Sequence, residues 1–225
     1  MGLCPSNVRA VACTHGHWDH VRGAAVLARR HDVEILGTKE TLSLLRGDPP
    51  EEKLRSFPVG GRFAIGGLTL SAVPTMHDSP GSCGFVIDDG ESRLGVITDL
   101  GVVTENVVTS LEGLDGLVLE MNHDEKMLRD GSYPGFLKAR IRGEMGHLSN
   151  KQGADLLARL AHSGLQHLTL AHLSEENNKP EIALEMACGI LSSAGIGTSV
   201  SVARASCPIE PVALERNGQL ALGPW

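Results

Sequence analysis

Thr14-His15-Gly16-His17-Trp18-Asp19-His20 is the stretch on which the reading of this chain turns. An apolar run, Val8–Cys13, precedes it and reads as a buried strand. His20–Arg30 follows and reads as a helix with Val21, Ala24, Ala25 and Ala28 on one face. In extended backbone, residues two apart point to the same side, so His15 and His17 can share one metal ion. Asp19 and His20 fall where the chain turns into the helix, point elsewhere and suit a second ion. Imidazole plus carboxylate is the ligand set of a borderline metal such as zinc.

Working outward, three further candidates sit just after apolar strands. His77 follows Leu68–Val73, Asp99 ends Ser92–Thr98, and His172 ends Leu165–Ala171. The carboxyl ends of strands are where α/β folds build their sites. Any one of these residues alone is more often structural. Together with the opening cluster they exceed what a single tetrahedral zinc uses and suit two ions sharing a carboxylate. Val33–Leu36, Gly84–Asp88, Gly116–Glu120 and Thr198–Val202 also read as strands. Lys39–Arg46, Thr104–Leu111, Pro134–Arg142, Asn150–His162 and Pro180–Ala194 read as helices, and Val212–Arg216 with Gln219–Leu222 as a hairpin around Asn217-Gly218. Strands alternating with helices predict an α/β fold with mixed sheets.

Composition bounds the partners. The 225 residues suffice for one domain, taken as 1–225, with a sizeable core. A net charge of −7 excludes a broad basic face, but not a local strip. Arg129, Lys138, Arg140 and Arg142 form such a strip, and Lys138 and Arg142, at i and i+4, share a helix face suited to backbone phosphates. Aromatic residues make up only 3%, so stacking platforms are scarce. The sequence has neither an apolar run long enough to span a membrane nor a secretion signal. Five scattered cysteines without a CxxC pair argue against disulfides and thiolate zinc and point to the cytoplasm.

The order HxHxDH (His15 to His20), His77, Asp99, His172 resembles the metallo-β-lactamase superfamily. The resemblance implies an αββα sandwich carrying two divalent ions, zinc or else manganese. It assigns His15, His17 and His77 to one ion, Asp19, His20 and His172 to the other, and Asp99 as the bridge. Three later motifs, Leu119–Asp124, Gly146–Asn150 and Leu170–Asn178, resemble the YycJ (WalJ) family, which is related to ribonuclease Z. That implies a phosphodiesterase using a metal-bridging hydroxide, a 5′→3′ exonuclease on DNA rather than RNA. Members carry further strands ahead of the point where this chain begins, so the first sheet is expected to be incomplete at its N-terminal end.

Besides Asp19, the resemblance implies catalytic roles for Glu120 and His147, a pair that could position the proton donor for the leaving oxygen. Glu120 could equally hold His172 in its tautomer. His123 could serve either role. Asp78 is expected behind His77, and Ser149 with Gln152 as a helix capping box. His31, His162 and His167 are expected at the surface. Two rivals remain: a hydrolase of the same fold acting on a small ester, thioester or lactam, and a shortened metal-binding chain without activity.

Overall fold

The computed structural model describes residues 4–205 and 207–215. The first apolar run forms β1 (Ala10–Ala12), followed by α1 (Trp18–Val21), α2 (Ala24–His31), β2 (Glu34–Gly37), α3 (Lys39–Ser43) and β3 (Leu54–Ser56). These three strands make a small parallel sheet in the order β1-β2-β3, in which β1 pairs with β2 alone among the described residues. The single helix expected over His20–Arg30 is instead two. Gly23, a poor helix former, separates α1 from α2. Small side chains then let α2 lie close on the sheet: Ala24 and Ala28 pack with Val21, Cys13 and Ile35.

The large sheet has seven strands: β4 (Arg62–Ile65), β5 (Leu68–Pro74), β6 (Cys83–Asp88), β7 (Arg93–Ile97), β8 (Gly116–Glu120), β9 (His167–Ala171) and β10 (Ser199–Val202). Their order is β10-β9-β8-β7-β6-β5-β4. β4 to β7 form an antiparallel meander, and β7 to β10 run parallel, so this sheet is mixed. β4 is joined to β5 by Gly66-Gly67, where Gly66 has φ +57°, a conformation that favours glycine. The parallel strands are linked through α4 (Glu105–Leu111), α5 (Glu125–Asp130), α6 (Gly135–Arg142), α7 (Asn150–Leu160) and α8 (Pro180–Ser193).

Two apolar layers hold the sheets in place. Leu36 and Phe57 pack on Leu70, Ala72 and Phe85, which joins the small sheet to one face of the large one. On the other face Val107, Leu111, Leu156, Leu157, Ala183 and Ala187 of α4, α7 and α8 cover Leu117, Leu119, Leu168 and Leu170. The layers therefore run helix, sheet, sheet, helix. β9 is buried along its whole length, as a central parallel strand covered on both faces should be. The turn and second arm of the hairpin expected around Asn217-Gly218 lie outside the described residues, and Val212–Glu215 is not a strand. Among the described residues no helix is long and apolar enough to cross a membrane. Cys13 and Cys83 are buried.

Leu119 is fully buried at the centre of the larger core. Leu119→Ala is expected to lower unfolding stability by about 2–5 kcal/mol in a denaturant titration, through lost burial and the cavity left behind.

Candidate metal centre

The site is assembled at the carboxyl ends of strands, each of which delivers part of it. After β1 come His15, His17, Asp19 and His20. After β5 comes His77, and after β7 comes Asp99. Glu120 is the last residue of β8, and His172 follows β9. Asp99 and His172 have φ of 58° and 57°, a left-handed conformation that non-glycine residues seldom adopt. Such a backbone costs of order 1–3 kcal/mol and persists only where its surroundings enforce it. At His172 the enforcement is visible: Asn122 Nδ2 donates to the His172 carbonyl at 2.9 Å. The loops behind are tied to one another, Gly101 N–H to Met76 O at 2.8 Å and Asp78 N–H to Met145 O at 3.1 Å. A Cβ at Gly101 would fall 2.2 Å from the Glu144 carbonyl oxygen, so only glycine lets these loops meet.

The structure brings together His15, His17 and His77 as one group and Asp19, His20 and His172 as another. His15, His20 and Asp99 form a third, and within each group the candidate ligand atoms lie within 4.8 Å of one another. Asp99 sits between them: Oδ1 is 3.6 Å from His77 Nε2 and 3.5 Å from His172 Nε2, and Oδ2 is 3.5 Å from His20 Nε2. Asp99, Glu120, His147 and His172 make a further cluster.

Most of these rings are anchored by one nitrogen. His15 Nδ1 lies 3.1 Å from Thr14 Oγ1, and His77 Nδ1 donates to the Gly146 carbonyl at 3.1 Å. His147 Nδ1 and His172 Nδ1 both lie 2.9 Å from Glu120 Oε1. A carboxylate can only accept, so both rings donate from Nδ1, and Nε2 offers a lone pair only when the ring is neutral. His17 is turned the other way: its Nδ1 lies 3.2 Å from His77 Nε2, while its Nε2 lies 3.4 Å from Asp78 Oδ1. Asp78 is in turn held by Arg140, whose Nε donates to Oδ2 at 2.5 Å.

Glu120 is fully buried. Its other oxygen, Oε2, accepts from Leu100 N–H at 3.0 Å and Leu148 N–H at 3.1 Å. Burial alone would raise its pKa, but hydrogen bonds from His147 and His172 hold it well below the usual range. His15 is pushed down to about 2 by burial and by the neighbouring rings of His20, His77 and His17. His77 is also lowered, chiefly by burial. Both are therefore neutral, the form that carries a free lone pair. Burial works against a proton on His172 as well, but Glu120 and Asp99 outweigh it and raise that pKa to about 9.

The donor set fits a divalent metal. His15 Nε2 and Asp99 Oδ2 are buried and have no hydrogen-bond partner, a costly state for polar atoms unless a ligand completes them. They belong to the same three-residue group.

The other candidates are placed as follows. Lys138 Nζ donates to the carbonyls of Arg129 at 2.8 Å and Gly131 at 2.6 Å, satisfying the end of α5, and Arg142 Nε donates to Lys138 O at 3.3 Å. Asp19 has a largely exposed side chain with Oδ2 3.4 Å from His20 Nε2. Ser149 and Gln152 form the capping box. His123 is buried with Nδ1 unpartnered, and burial lowers its pKa to about 4. His167 is not at the surface: it is buried in β9 with Nε2 2.9 Å from Ser201 Oγ. His162 is half-buried, with Nε2 3.0 Å from the Leu114 carbonyl.

Comparison with known proteins agrees with the fold. A family model described as a beta-lactamase superfamily domain matches residues 4–173. The exodeoxyribonuclease YycJ of Bacillus anthracis is 31% identical over 195 residues, covering 85% of this chain and 74% of the relative. The exodeoxyribonuclease WalJ of Streptococcus pneumoniae is 32% identical over 203 residues, covering 87% and 75%. Among solved structures, the metallo-beta-lactamase fold protein YhfI of Bacillus subtilis superposes with TM-score 0.67 at 16% identity, covering 90% of this chain and 77% of the neighbour. Zn(2+)-bound PqqB of Methylobacterium extorquens gives 0.61 at 20%, covering 87% and 68%. The fold and site thus define a metal-dependent hydrolase of the metallo-β-lactamase type. The chain belongs to the beta-lactamase superfamily and, within it, to the family of YycJ and WalJ.

Glu120→Ala is expected to lower the stability of the metal-free protein by about 2–5 kcal/mol, because two buried N–H groups and two imidazoles lose their acceptor. Chemical denaturation measures this, and Glu120→Gln, which keeps one acceptor oxygen, is expected to lose less.

Proposed function

We propose that this chain is a dinuclear metal-dependent phosphodiesterase acting as a 5′→3′ exonuclease on DNA in the cytoplasm. The observation that carries the reading is the Glu120–His147 hydrogen bond beside the ligand cluster. The names borne by the YycJ and WalJ relatives support it. His15, His17 and His77 would hold one ion, Asp19, His20 and His172 the other, and Asp99 would be shared. Zinc suits this nitrogen and oxygen set, with manganese as the alternative. Bound there, divalent ions supply an acidified water molecule and Lewis-acid stabilisation of the phosphate.

The chain's own residues do the rest. Glu120 fixes the tautomers of His147 and His172 at once. His147, with Nδ1 occupied by Glu120, keeps Nε2 to pass a proton to the leaving oxygen. That role separates phosphodiester cleavage from hydrolysis of a small acyl substrate, for which the Glu120–His147 pair has no evident use. Asp78, backed by Arg140, orients His17. Since Lys138 is already committed to two carbonyls, the backbone-phosphate contact falls to Arg142.

His147→Ala is expected to slow cleavage of DNA by about 10²–10⁴-fold with metal content unchanged, and to slow bis(p-nitrophenyl) phosphate far less, because its phenolate leaves with little need of a proton. Loss of metal together with activity would make His147 a ligand. Asp78→Ala is expected to weaken metal retention by about 10–100-fold in a chelator competition. Arg142→Ala is expected to reduce the salt dependence of DNA binding by about one unit of slope, read as log affinity against log salt. A panel of thioester, ester and lactam substrates tests the rival: faster turnover there than on any phosphodiester would overturn the proposed function.

A further inference from the structure

The chain's few aromatic side chains are unevenly placed. Phe57, Phe63 and Phe85 pack on one another in the core. Trp18 and Phe136 are the exposed aromatics among the described residues, at 57% and 76%. Both stand at the metal centre. Trp18 lies between His17 and Asp19 as the first residue of α1. Phe136 lies one turn before Arg140 on α6, so the two share a helix face. Arg140 donates to Asp78, and Asp78 faces His17. From Phe136 to Trp18 the path is therefore a helix turn, two polar contacts and a peptide bond. Met76, next to His77, and Met145, whose carbonyl accepts from Asp78 N–H, are exposed beside the same contacts.

Single exposed apolar side chains need no explanation, but a group of them rimmed by charge marks a binding surface. The cations here are Arg140 and Arg22. Arg22 follows Trp18 by one turn, its N–H bonded to the Trp18 carbonyl at 2.9 Å, and its side chain is exposed. The occupant must offer apolar faces and negative charge together. A nucleic-acid strand does so: its phosphates suit the arginines and the ions, and every base has a π-face for an aromatic ring. Methionine adapts to such faces through its flexible, polarizable thioether. A lipid layer suits this edge less well. It would bury the Asp78–His17 and Asp78–Arg140 contacts in hydrocarbon along with the apolar groups, which is costly for charged side chains.

We propose that Trp18 and Phe136 stack on bases next to the scissile phosphate, which makes this edge of the metal centre a ledge for an unpaired strand. The assignment rests on the exonuclease reading above and names the state of the substrate end that reading leaves open.

The test uses the zinc-loaded full chain in two measurements. The first compares cleavage of two single-stranded oligonucleotides of one sequence, one lacking the bases of its first two nucleotides. Loss of the bases should lower kcat/KM about tenfold or more in the unaltered protein. Trp18→Ala combined with Phe136→Ala should bring the two substrates to nearly equal rates, and Trp18→Phe should keep them apart. Because Trp18 stands between two ligands, Phe136→Ala alone must also narrow the difference, and metal content is counted for every variant. The second measures binding of a cleavage-resistant phosphorothioate strand. The double change should weaken it about 5–100-fold with the salt slope unchanged, since stacking releases no counterions. The same difference between intact and base-free substrates in the unaltered and doubly altered proteins, or no difference in either, would overturn the inference. Unchanged strand affinity, with loss of binding to phosphatidylserine–phosphatidylcholine vesicles, would make the edge a membrane surface and overturn it as well. Failure to cleave any oligonucleotide would overturn the exonuclease reading, and the binding measurement would still decide the stacking.

Discussion

Glu120 ends a buried strand with four donors converging on its carboxylate: the backbone N–H groups of Leu100 and Leu148 on one oxygen, the Nδ1 atoms of His147 and His172 on the other. A carboxylate taken wholly out of water is costly unless it is paired and fully hydrogen-bonded. Here the donors come from the loop after β7, from the loop before α7 and from the residue after β9. The same carboxylate that must be satisfied therefore holds three loops at fixed distances. The left-handed turns at Asp99 and His172 are tolerated within that frame.

One consequence is a consistent division of labour around each ring. Thr14, Gly146 and Glu120 occupy Nδ1 of His15, His77 and His172, and Asp78 faces Nε2 of His17. Burial and mutual repulsion keep His15 and His77 neutral, and Asp99 is set among the rings. Within the donor cluster, His15 Nε2 and Asp99 Oδ2 are left buried without a hydrogen-bond partner. Side chains already oriented by such contacts lose less conformational entropy when a ligand binds.

The ligand candidates were legible because they stand at the ends of apolar strands whose pattern is unambiguous, and β8 was read with its observed bounds, Gly116–Glu120. What escaped was either short or distant. β3 is three residues with two polar ones, too few for an alternation to register. β4 is four residues long, although Gly66-Gly67 between Ile65 and Leu68 is a two-residue hairpin signal that could have revealed it. α5 is likewise announced by Asp124, whose side chain accepts from Met127 N–H as an N-cap. The Arg140–Asp78 contact spans 62 positions and depends on how α6 lies over the loop after β5, which no local pattern encodes. Lys138 reads as a solvent-facing cation on its helix, yet its amine caps a neighbouring helix instead. His167 shows the opposite error: a polar residue at the start of a strand is buried because Ser201 on the adjacent strand meets its Nε2.

The number of ions the cradle holds is the most direct measure of this site. Chelator-stripped protein titrated with zinc, with the bound metal counted by elemental analysis after desalting, should retain two equivalents per chain. Saturation at one equivalent, or failure to retain any, would contradict the shared role given to Asp99 and the division of the histidines into two sets.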